Sequence, residues 1–501
     1  MKKSQLCLVC TSKTIQENIE NIEKYKDRID CIELRADFLS PEEQSVLDKF
    51  PAFTNLPVIL TIRRKSDGGV FKGTEQERRQ LLKQGSRGDY AYIDLETDFR
   101  DEELEASLKS RNIKIIRSFH DLESVPGNLV KRVKKIAENK NEIPKAAVTP
   151  KSTSDLLAFF EACRELSHTE KIIIGMGEFG VTTRILANKT GSMISYCSVP
   201  GQSAAPGHLD PITMTTLYRF HRIGKHTKIY GIIGNPIHHS SSPLIHNRGL
   251  RDLMIDAVYV PFLTDDVKSF FEIANLLSIE GFSVTIPHKE EVIRHLKKTD
   301  QHIEAVGACN TVVHRGNHYI GTNTDIEGFI SPLYTYFSPD EMKSMKATVI
   351  GAGGASRACV YALRKAGMTV LILNRTPAKA KKLSEEFDTQ WGPLDETGFS
   401  RMKNFCDLII QTTSVGMVPK SEQDPLAAYK FAGNEFVYDL IYNPKLTRLL
   451  ERALSAGCKV LNGEEMLVAQ AHLQFKLFTG RESLFKNNYL SDFMRTEIPE
   501  M

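Results

Sequence analysis

The sequence predicts an α/β protein: a (β/α)8 barrel followed by a second α/β unit in two parts. Three observations predict it. Eight short β-rich runs alternate with helix-like stretches over the first 225 residues. A polar, basic connector, HRIGKHTKIYG (221–231), then interrupts the rhythm. Beyond it the βα alternation resumes, and a glycine-rich turn, VIGAGGASRA (349–358), opens its last part.

The eight runs are LCLVCTS (6–12), CIELRAD (31–37), VILTIRR (58–64), AYIDLET (91–97), IKIIRSF (113–119), KAAVTP (145–150), KIIIGMG (171–177) and MISYCSV (193–199). Segments 75–84 and 152–165 are examples of the helical stretches between them. A doubly wound sheet competes with the barrel, and the count of eight favours the barrel. The boundary is expected near 224–227, closing a first domain over 1–225. A second domain is expected over 228–335, completed by C-terminal helices at about 463–490, and a third over 336–462. The third begins after the helical stretch DEMKSM (340–345) and adds strands VLILNR (370–375), DLIIQTT (407–413) and FVYDLIY (436–442).

Composition excludes several classes. The chain is 41% hydrophobic and 25% charged with a net charge of +3, which supports neither a nucleic-acid nor a membrane-surface partner. No apolar run reaches the roughly 18 residues that span a bilayer. The start, MKKSQLCLVCTS, reads as a first strand and not as a signal or transit peptide. The nine cysteines are scattered, and Cys7 and Cys10 form a CxxC inside a β-like run without a second pair for a metal. A cytoplasmic protein with reduced thiols is expected.

In the glycine-rich turn, KATVI is a buried strand and SRACVYALRKAG a helix ending at Gly367. Gly351 makes the tight turn, and Gly353 lets the backbone approach a pyrophosphate at the helix N-terminus, as in a Rossmann dinucleotide site. Ser356 stands where the third glycine of GxGxxG belongs. The second strand ends in Asn374 and Arg375, with Lys379 nearby, where a site for NAD carries an acidic residue. Arginine there attracts a 2′-phosphate, so NADP(H) is the expected cofactor.

Polar clusters mark the middle region. GNPIHHSSSPLIHN (234–247) offers Ser240 and Ser242 to a carboxylate, or as helix caps before Pro243. GFSVTIPHKEE (281–291) sets Lys289 just past a β-like run, and GACNTVV and GTNTDIEG place Asn310 and Asp325 in turns. With GAGGASRA, NRT, QTTSVGM, DLIYNPKLT and NGEEMLVAQA these segments follow in order over roughly 228–482 and together resemble shikimate dehydrogenase. The resemblance implies NADPH-dependent reduction of 3-dehydroshikimate, with Lys289 and Asp325 as the catalytic pair. It implies that Ser240 and Ser242 hold the carboxylate, that Thr285, Asn310 and Gln470 bind ring hydroxyls, and that Tyr442 sits close by. It places the cofactor on Gly351, Gly353, Gly354, Ala355 and Thr413, with Asn374, Arg375 and Thr376 around the 2′-phosphate. The same family commonly has a small residue at Ser356.

A barrel active site lies at the C-terminal ends of the strands, where this chain has Glu33, Arg35, Arg63, Asp94, Glu96, His120 and Lys145. Lys145 either precedes its strand and faces water or points into the barrel. Inside, desolvated and near other cations, a lysine has a lowered pKa and attacks carbonyls as a free amine. His120 ends the preceding strand. IELRAD, TIRRKSDGG, YIDLE, SFHD, PKAAVTPKSTSD and TTRILANKTGS, in order over roughly 5–223, resemble type I 3-dehydroquinate dehydratase. That resemblance implies a Schiff base on Lys145, proton abstraction by His120, no metal, and substrate contacts from Glu33, Arg35, Arg63 and Arg184. Two departures stand out. Asp67 occupies a position where the family has Glu assisting the histidine, and is one methylene shorter. The lid loop is either 198–202 or 203–208, and the second, favoured by spacing from Arg184, brings Ser203 and puts His208 where the family has Gln.

The expected whole is a bifunctional enzyme in which the barrel makes the substrate that the second unit reduces, with small molecules as its partners. A class I aldolase-like barrel fused to a quinate/shikimate dehydrogenase is the alternative. A regulatory protein that keeps one dead domain as a sensor is disfavoured, because both lysines and both partners, His120 and Asp325, are present. The sequence leaves the oligomeric state open.

Overall fold

The computed structural model describes residues 3–238 and 240–485. Its first eight strands are β1 Gln5–Cys10, β2 Cys31–Arg35, β3 Val58–Thr61, β4 Tyr92–Glu96, β5 Lys114–Asp121, β6 Glu142–Val148, β7 Ile172–Gly175 and β8 Ile194–Ser198. Strands β1 to β7 pair in parallel with their chain neighbours, and β8 pairs in parallel with β1. A single parallel bridge, Lys171 to Ser192, closes the ring, with Met193 N–H donating to the Lys171 carbonyl at 2.7 Å. The eight-stranded parallel barrel therefore stands, and the doubly wound alternative falls for the first 225 residues.

Strand alternation sorts the side chains. Cys7, Val9, Ile59, Ile116, Ile143, Ile172 and Ile194 fill the interior, while Leu6, Leu8, Leu34 and Leu60 face the surrounding helices. The CxxC is accounted for by this packing: Cys7 points in, Cys10 points out, and both are buried thiols. The helices start where the sequence supplies caps. Thr74 and Glu77 form a capping box ahead of helix Glu75–Gly85, and the Ser152 hydroxyl accepts from Asp155 N–H ahead of helix Thr153–Glu165.

A second sheet contains β9 Lys228–Gly234, β10 Ala257–Leu263, β11 Ile279–Val284, β12 Lys298–Thr299, β13 Thr311–Arg315 and β14 His318–Thr322, in the order β10-β9-β11-β13-β14-β12. Strands β9, β10 and β11 run parallel, and β13 turns antiparallel into a hairpin with β14 through Gly316, whose φ is 60°. The third sheet holds β15 Lys346–Ile350, β16 Thr369–Asn374, β17 Gln390–Pro393, β18 Leu408–Gln411, β19 Phe436–Asp439 and β20 Lys459–Leu461. It is wholly parallel in the order β17-β16-β15-β18-β19-β20, the doubly wound dinucleotide-binding order. Helix Glu464–Thr479 then leaves this sheet and returns to the second, where Tyr230 OH donates to the Phe478 carbonyl at 2.8 Å. The tail at 487–501 and the end of the expected helical span at 486–490 lie outside the described residues.

The barrel and the second sheet share packing. Helix Thr153–Glu165 lies against helix Val267–Leu277, and Thr153 N–H and Oγ1 both donate to Asp265 Oδ1, at 2.8 and 2.6 Å. Glu178, just after β7, meets His238 of the serine-rich turn at 3.2 Å. The connector is anchored as well: Thr227 Oγ1 accepts from Gly224 N–H and donates to Asp256.

Candidate active sites

The C-terminal end of the barrel encloses a cavity of about 110 Å³. Glu33, Arg35, Arg63, Asp67, His120, Lys145 and Arg184 all line it, together with Tyr196 and His208. Lys145 lies within β6 and is 4% exposed, so the water-facing reading of this residue is wrong. Its partners come from every second strand. Glu33 (β2), Asp94 (β4), Lys145 (β6) and Tyr196 (β8) form one layer of the barrel, as alternate strands must when the sheet closes. Lys145 Nζ donates to Asp94 Oδ2 at 2.9 Å and Glu33 Oε1 at 3.3 Å, and lies 4.6 Å from the centre of the Tyr196 ring. The nearby cations expected for this lysine are joined by two carboxylates that meet the amine directly.

The other charges are arranged around this layer. Arg63 pairs with Asp94 at 2.8 Å and Glu96 at 2.9 Å, and Arg35 with Asp37 at 2.7 Å. Against the cost of burial, Arg63 and Lys145 hold the Asp94 carboxyl well below the usual carboxylate range. His120 sits on β5, where Ser118 and His120 are in register with Lys145 and Ala147 of β6. Burial, then the charges of Arg63 and Lys145, push its pKa well below the ordinary histidine value, so the ring is neutral, and its Nδ1 has no hydrogen-bond partner. Arg184 is the exception among the cations. Its side chain meets no carboxylate among the described residues, its Nε is buried without a partner, and burial brings its pKa down to about 10.

Asp67 lines the cavity, but its carboxylate accepts from Arg64 Nε and from Ser66 Oγ at 2.8 Å, not from His120. The shorter side chain is held at the rim by its own turn. The two candidate lid loops are also separated. Gln202 is exposed, its side chain accepting from Ser12 Oγ at 3.1 Å, outside the cavity. Ala204, Ala205 and His208 line the cavity, and the Pro206 carbonyl accepts from Gly177 N–H at 3.1 Å. Gly207 has φ +83°, and a Cβ on it would lie 2.5 Å from the Gly177 carbonyl oxygen, so this loop docks through glycine. Ser203 of the same loop is exposed and donates to the Ala205 carbonyl; it does not line the cavity.

The second cluster lies between the other two sheets. Lys289 follows β11 and Asp325 begins helix Asp325–Leu333; Lys289 Nζ donates to Asp325 Oδ2 at 2.5 Å. Asn310 Nδ2 donates to Asp325 Oδ1 at 2.7 Å, which fixes the carboxylate from its other side. Asn323 and Thr324 complete the cradle: Asp325 N–H donates to Asn323 Oδ1, and Thr324 Oγ1 accepts from Asn310. The Gln470 amide donates to the Leu467 carbonyl at 2.9 Å, and its Cβ fills the space beside Gly328. Ser240, Ser242 and Tyr442 belong to one edge: Ser242 N–H donates to Ser240 Oγ, and Ser241 N–H to Tyr442 OH at 3.4 Å. Thr285 follows β11 directly, its methyl against Gly234. Gln474 escaped the sequence reading. It joins Ser283, Thr311 and the Asn310 carbonyl beneath the cluster, and nothing but helical spacing from Gln470 marks it.

The glycine turn reaches this cluster. A Cβ on Gly354 would stand 3.2 Å from the Lys289 side chain, so the start of helix Gly354–Lys365 abuts the lysine. Gly351 has φ +117°, and a Cβ there would lie 2.4 Å from Thr412 Oγ1. Ser356 replaces the third glycine usefully: its Oγ accepts from Gly353 N–H at 3.1 Å and bonds Thr412 Oγ1 at 2.6 Å. Open space lies over Gly353, and the first N–H groups of the helix, at Gly354 and Ala355, have no intrahelical acceptors. Asn374 Nδ2 donates to the Thr376 carbonyl, and Thr413 closes a turn with Gln411. Arg375 is exposed and, among the described residues, unpaired with any carboxylate. These residues fit a dinucleotide with an extra phosphate. Among the described residues no group of three or more His, Cys, Asp or Glu is placed to hold a metal, and no helix is long and apolar enough to cross a membrane.

Fold and sites thus define a two-site α/β enzyme, with a buried-lysine barrel joined to a dinucleotide-binding unit. Residues 6–225 match the Type I 3-dehydroquinase family, 232–312 the shikimate dehydrogenase substrate binding domain, and 336–423 the shikimate / quinate 5-dehydrogenase family. The bifunctional 3-dehydroquinate dehydratase/shikimate dehydrogenase of Arabidopsis thaliana is 32% identical over 92% of this chain and 79% of its own. The chain belongs to that bifunctional family. An NADP(+) shikimate dehydrogenase of Caldanaerobacter subterraneus is 40% identical over 55% of this chain and 100% of its own. The crystal structure of shikimate dehydrogenase from Aquifex aeolicus superposes with a TM-score of 0.50 at 33% identity, covering 55% of this chain and 99% of that one.

Proposed function

We propose that the barrel dehydrates 3-dehydroquinate to 3-dehydroshikimate and that the second unit reduces this product to shikimate with NADPH. The observation that carries the reading is a pair of lysines, the buried Lys145 held by Asp94 and Glu33 and the half-buried Lys289 held by Asp325, at the two places where these reactions need one: the barrel mouth and the glycine turn.

In the barrel, the Lys145 amine adds to the substrate ketone once its proton passes to a neighbour, and water leaves as the imine forms. The iminium acidifies the adjacent C–H. Neutral His120 accepts that proton, then returns it to the departing hydroxyl, so the ring loses one water and the charge balances. Hydrolysis of the iminium frees Lys145. Arg184, which meets no carboxylate among the described residues, is the match for the substrate carboxylate; Arg63, itself held by Glu96, holds Asp94 in place. Asp67 acts on the Arg64 turn and not on His120 directly.

In the second unit, NADPH supplies the hydride when bound. Arg375, Asn374 and Thr376 would hold its 2′-phosphate, and the Gly351–Ala355 turn its pyrophosphate. Lys289 gives a proton to the carbonyl oxygen that becomes the new hydroxyl, and Asp325, held by Asn310, orients the lysine and a substrate hydroxyl. Ser240 and Ser242 lie on the edge that receives the carboxylate, with Tyr442, Thr285 and Gln470 around the ring. A cytoplasmic site of action belongs to this reading. It is supported by nine free thiols, while the Arabidopsis relative is named chloroplastic.

Two substitutions test the whole. Lys145→Ala should lower dehydration by about 10³-fold or more and abolish borohydride-trapped adduct with dehydroquinate, while reduction of dehydroshikimate continues. Lys289→Ala should do the reverse. A coupled assay, dehydroquinate and NADPH in and shikimate out, should stop in either variant and resume when the two are mixed. Full turnover by Lys145→Ala would remove the Schiff base from the mechanism.

A further inference from the structure

Among the described residues, one corner of the barrel cavity carries positive charge without a counter-charge. Arg35 is held by Asp37, Arg63 by Asp94 and Glu96, and Lys145 by Asp94 and Glu33. Among the described residues Arg184 meets no carboxylate and its Nε has no partner, and His208 stands in the same cavity on the 203–208 loop, its Nδ1 buried and likewise without a partner. The carboxylates that share the cavity are engaged elsewhere: Glu33 by Lys145 and Thr61, Asp67 by Arg64 and Ser66. His120, the other imidazole in the cavity, is neutral. An anion entering this corner therefore meets one fixed cation and one group able to become a cation.

We propose that His208 is the titrating half of a substrate-carboxylate clamp with Arg184, taking up one proton as 3-dehydroquinate binds, so that the affinity of the barrel falls as pH rises. The inference rests on the dehydratase reading of the barrel. The charges facing His208 come from three elements: Arg184 on helix Gly177–Ile185, Arg35 on β2 and Lys145 on β6. In the free barrel, burial and these three cations keep the imidazole neutral at pH 7. A bound carboxylate reverses the balance, because it cancels Arg184 and supplies an acceptor at hydrogen-bond range. An amide at this position can donate a hydrogen bond but cannot change charge. Histidine here converts a fixed clamp into a proton-linked one, and protein-bound substrate holds one proton more than free barrel and free substrate together.

The test measures the KM for dehydroquinate between pH 6 and pH 8, where the substrate carboxylate is ionised throughout, in the full-length chain and in His208→Gln, following the conjugated enone of the product. Reduction of dehydroshikimate by the same chains reports that they are folded. In the native chain KM should rise by up to about tenfold per pH unit, with kcat changing less, and His208→Gln should lose that slope. His208→Asn, a second amide, should lose it too. Parallel KM profiles in the native chain and His208→Gln would overturn the proposal and leave the dehydratase reading intact. If both variants lose turnover while still reducing dehydroshikimate, the native profile decides: a flat KM overturns the proposal and a rising one supports it. Failure of the native chain to form the enone at any pH would overturn the dehydratase reading and the clamp with it.

Discussion

At the scale of single residues, Tyr196 is the most informative side chain that no motif singled out. Its ring closes the Lys145 layer at 4.6 Å from Nζ, and its hydroxyl is buried without a partner. A cation over a desolvated ring is worth about 2 kcal/mol, and the same face would underlie the iminium. Tyr196→Leu should therefore lower kcat for dehydration by up to about 30-fold, while Tyr196→Phe stays within a few-fold of the native chain. Steady-state rates on both variants check this, and an unchanged kcat in Tyr196→Leu would deny the ring any part in the chemistry. Lys145 and His120 were legible in the sequence because a cation within a β-rich run and a histidine at the end of its neighbour break an apolar pattern. Asp94 and Tyr196 as their partners were not: they arrive from alternate strands, and only closure of the barrel makes them neighbours.

At the scale of elements, the end of β19 holds a carboxyl in an unusual state. Asp439 is fully buried; its Oδ2 accepts from Thr447 Oγ1 at 2.7 Å and its Oδ1 from Ile441 N–H at 3.0 Å, which pins the segment carrying Tyr442. Burial raises its pKa to about 7, with the charge of Asp424 adding to the rise. A folded-state pKa above the unfolded value means that the fold binds the proton more tightly. Its contribution is complete below about pH 4 and is lost as pH rises through about 7. Thermal stability of this part should thus fall between pH 5 and pH 8 more steeply in the native chain than in Asp439→Asn, by a few kcal/mol at most. Melting curves over that range decide it, and equal slopes would show that Asp439 does not titrate there. The glycine turn was readable at this scale because Gly351 and the strand around it are contiguous in the chain. The function of Ser356 was not, since Thr412 lies on the far side of the sheet's first crossover.

At the scale of the whole molecule, the barrel and the second sheet share one continuous apolar cluster, running from Leu6 through Phe159 to Phe262 and Phe282. Asp265 is the polar rivet of that junction, accepting twice from Thr153 and returning its own N–H to Thr153 Oγ1 at 2.9 Å. Asp265→Ala leaves a helix N-terminus without its acceptor and should cost about 1–2 kcal/mol. The loss should appear as a lower melting temperature for both activities, measured by their residual rates after graded heating. Loss confined to one activity would show that the two units unfold independently.

Local pattern determined a great deal about this protein. Short β-rich runs, glycine turns, caps and an arginine just past β16 are properties of contiguous residues, so the sequence by itself carries the strand count, the dinucleotide turn and its expected preference for NADP. Long-range partnership was decided only by the tertiary structure. Lys145 meets Asp94 and Glu33, Asp67 turns to Arg64 and away from His120, and the 203–208 loop enters the cavity while Gln202 stays outside. The physical reason is common to all three. Each depends on which groups a closed barrel brings within about 3 Å and which, like His120 for Asp67, it does not, and hydrogen bonds and desolvation act at that distance whatever the sequence separation.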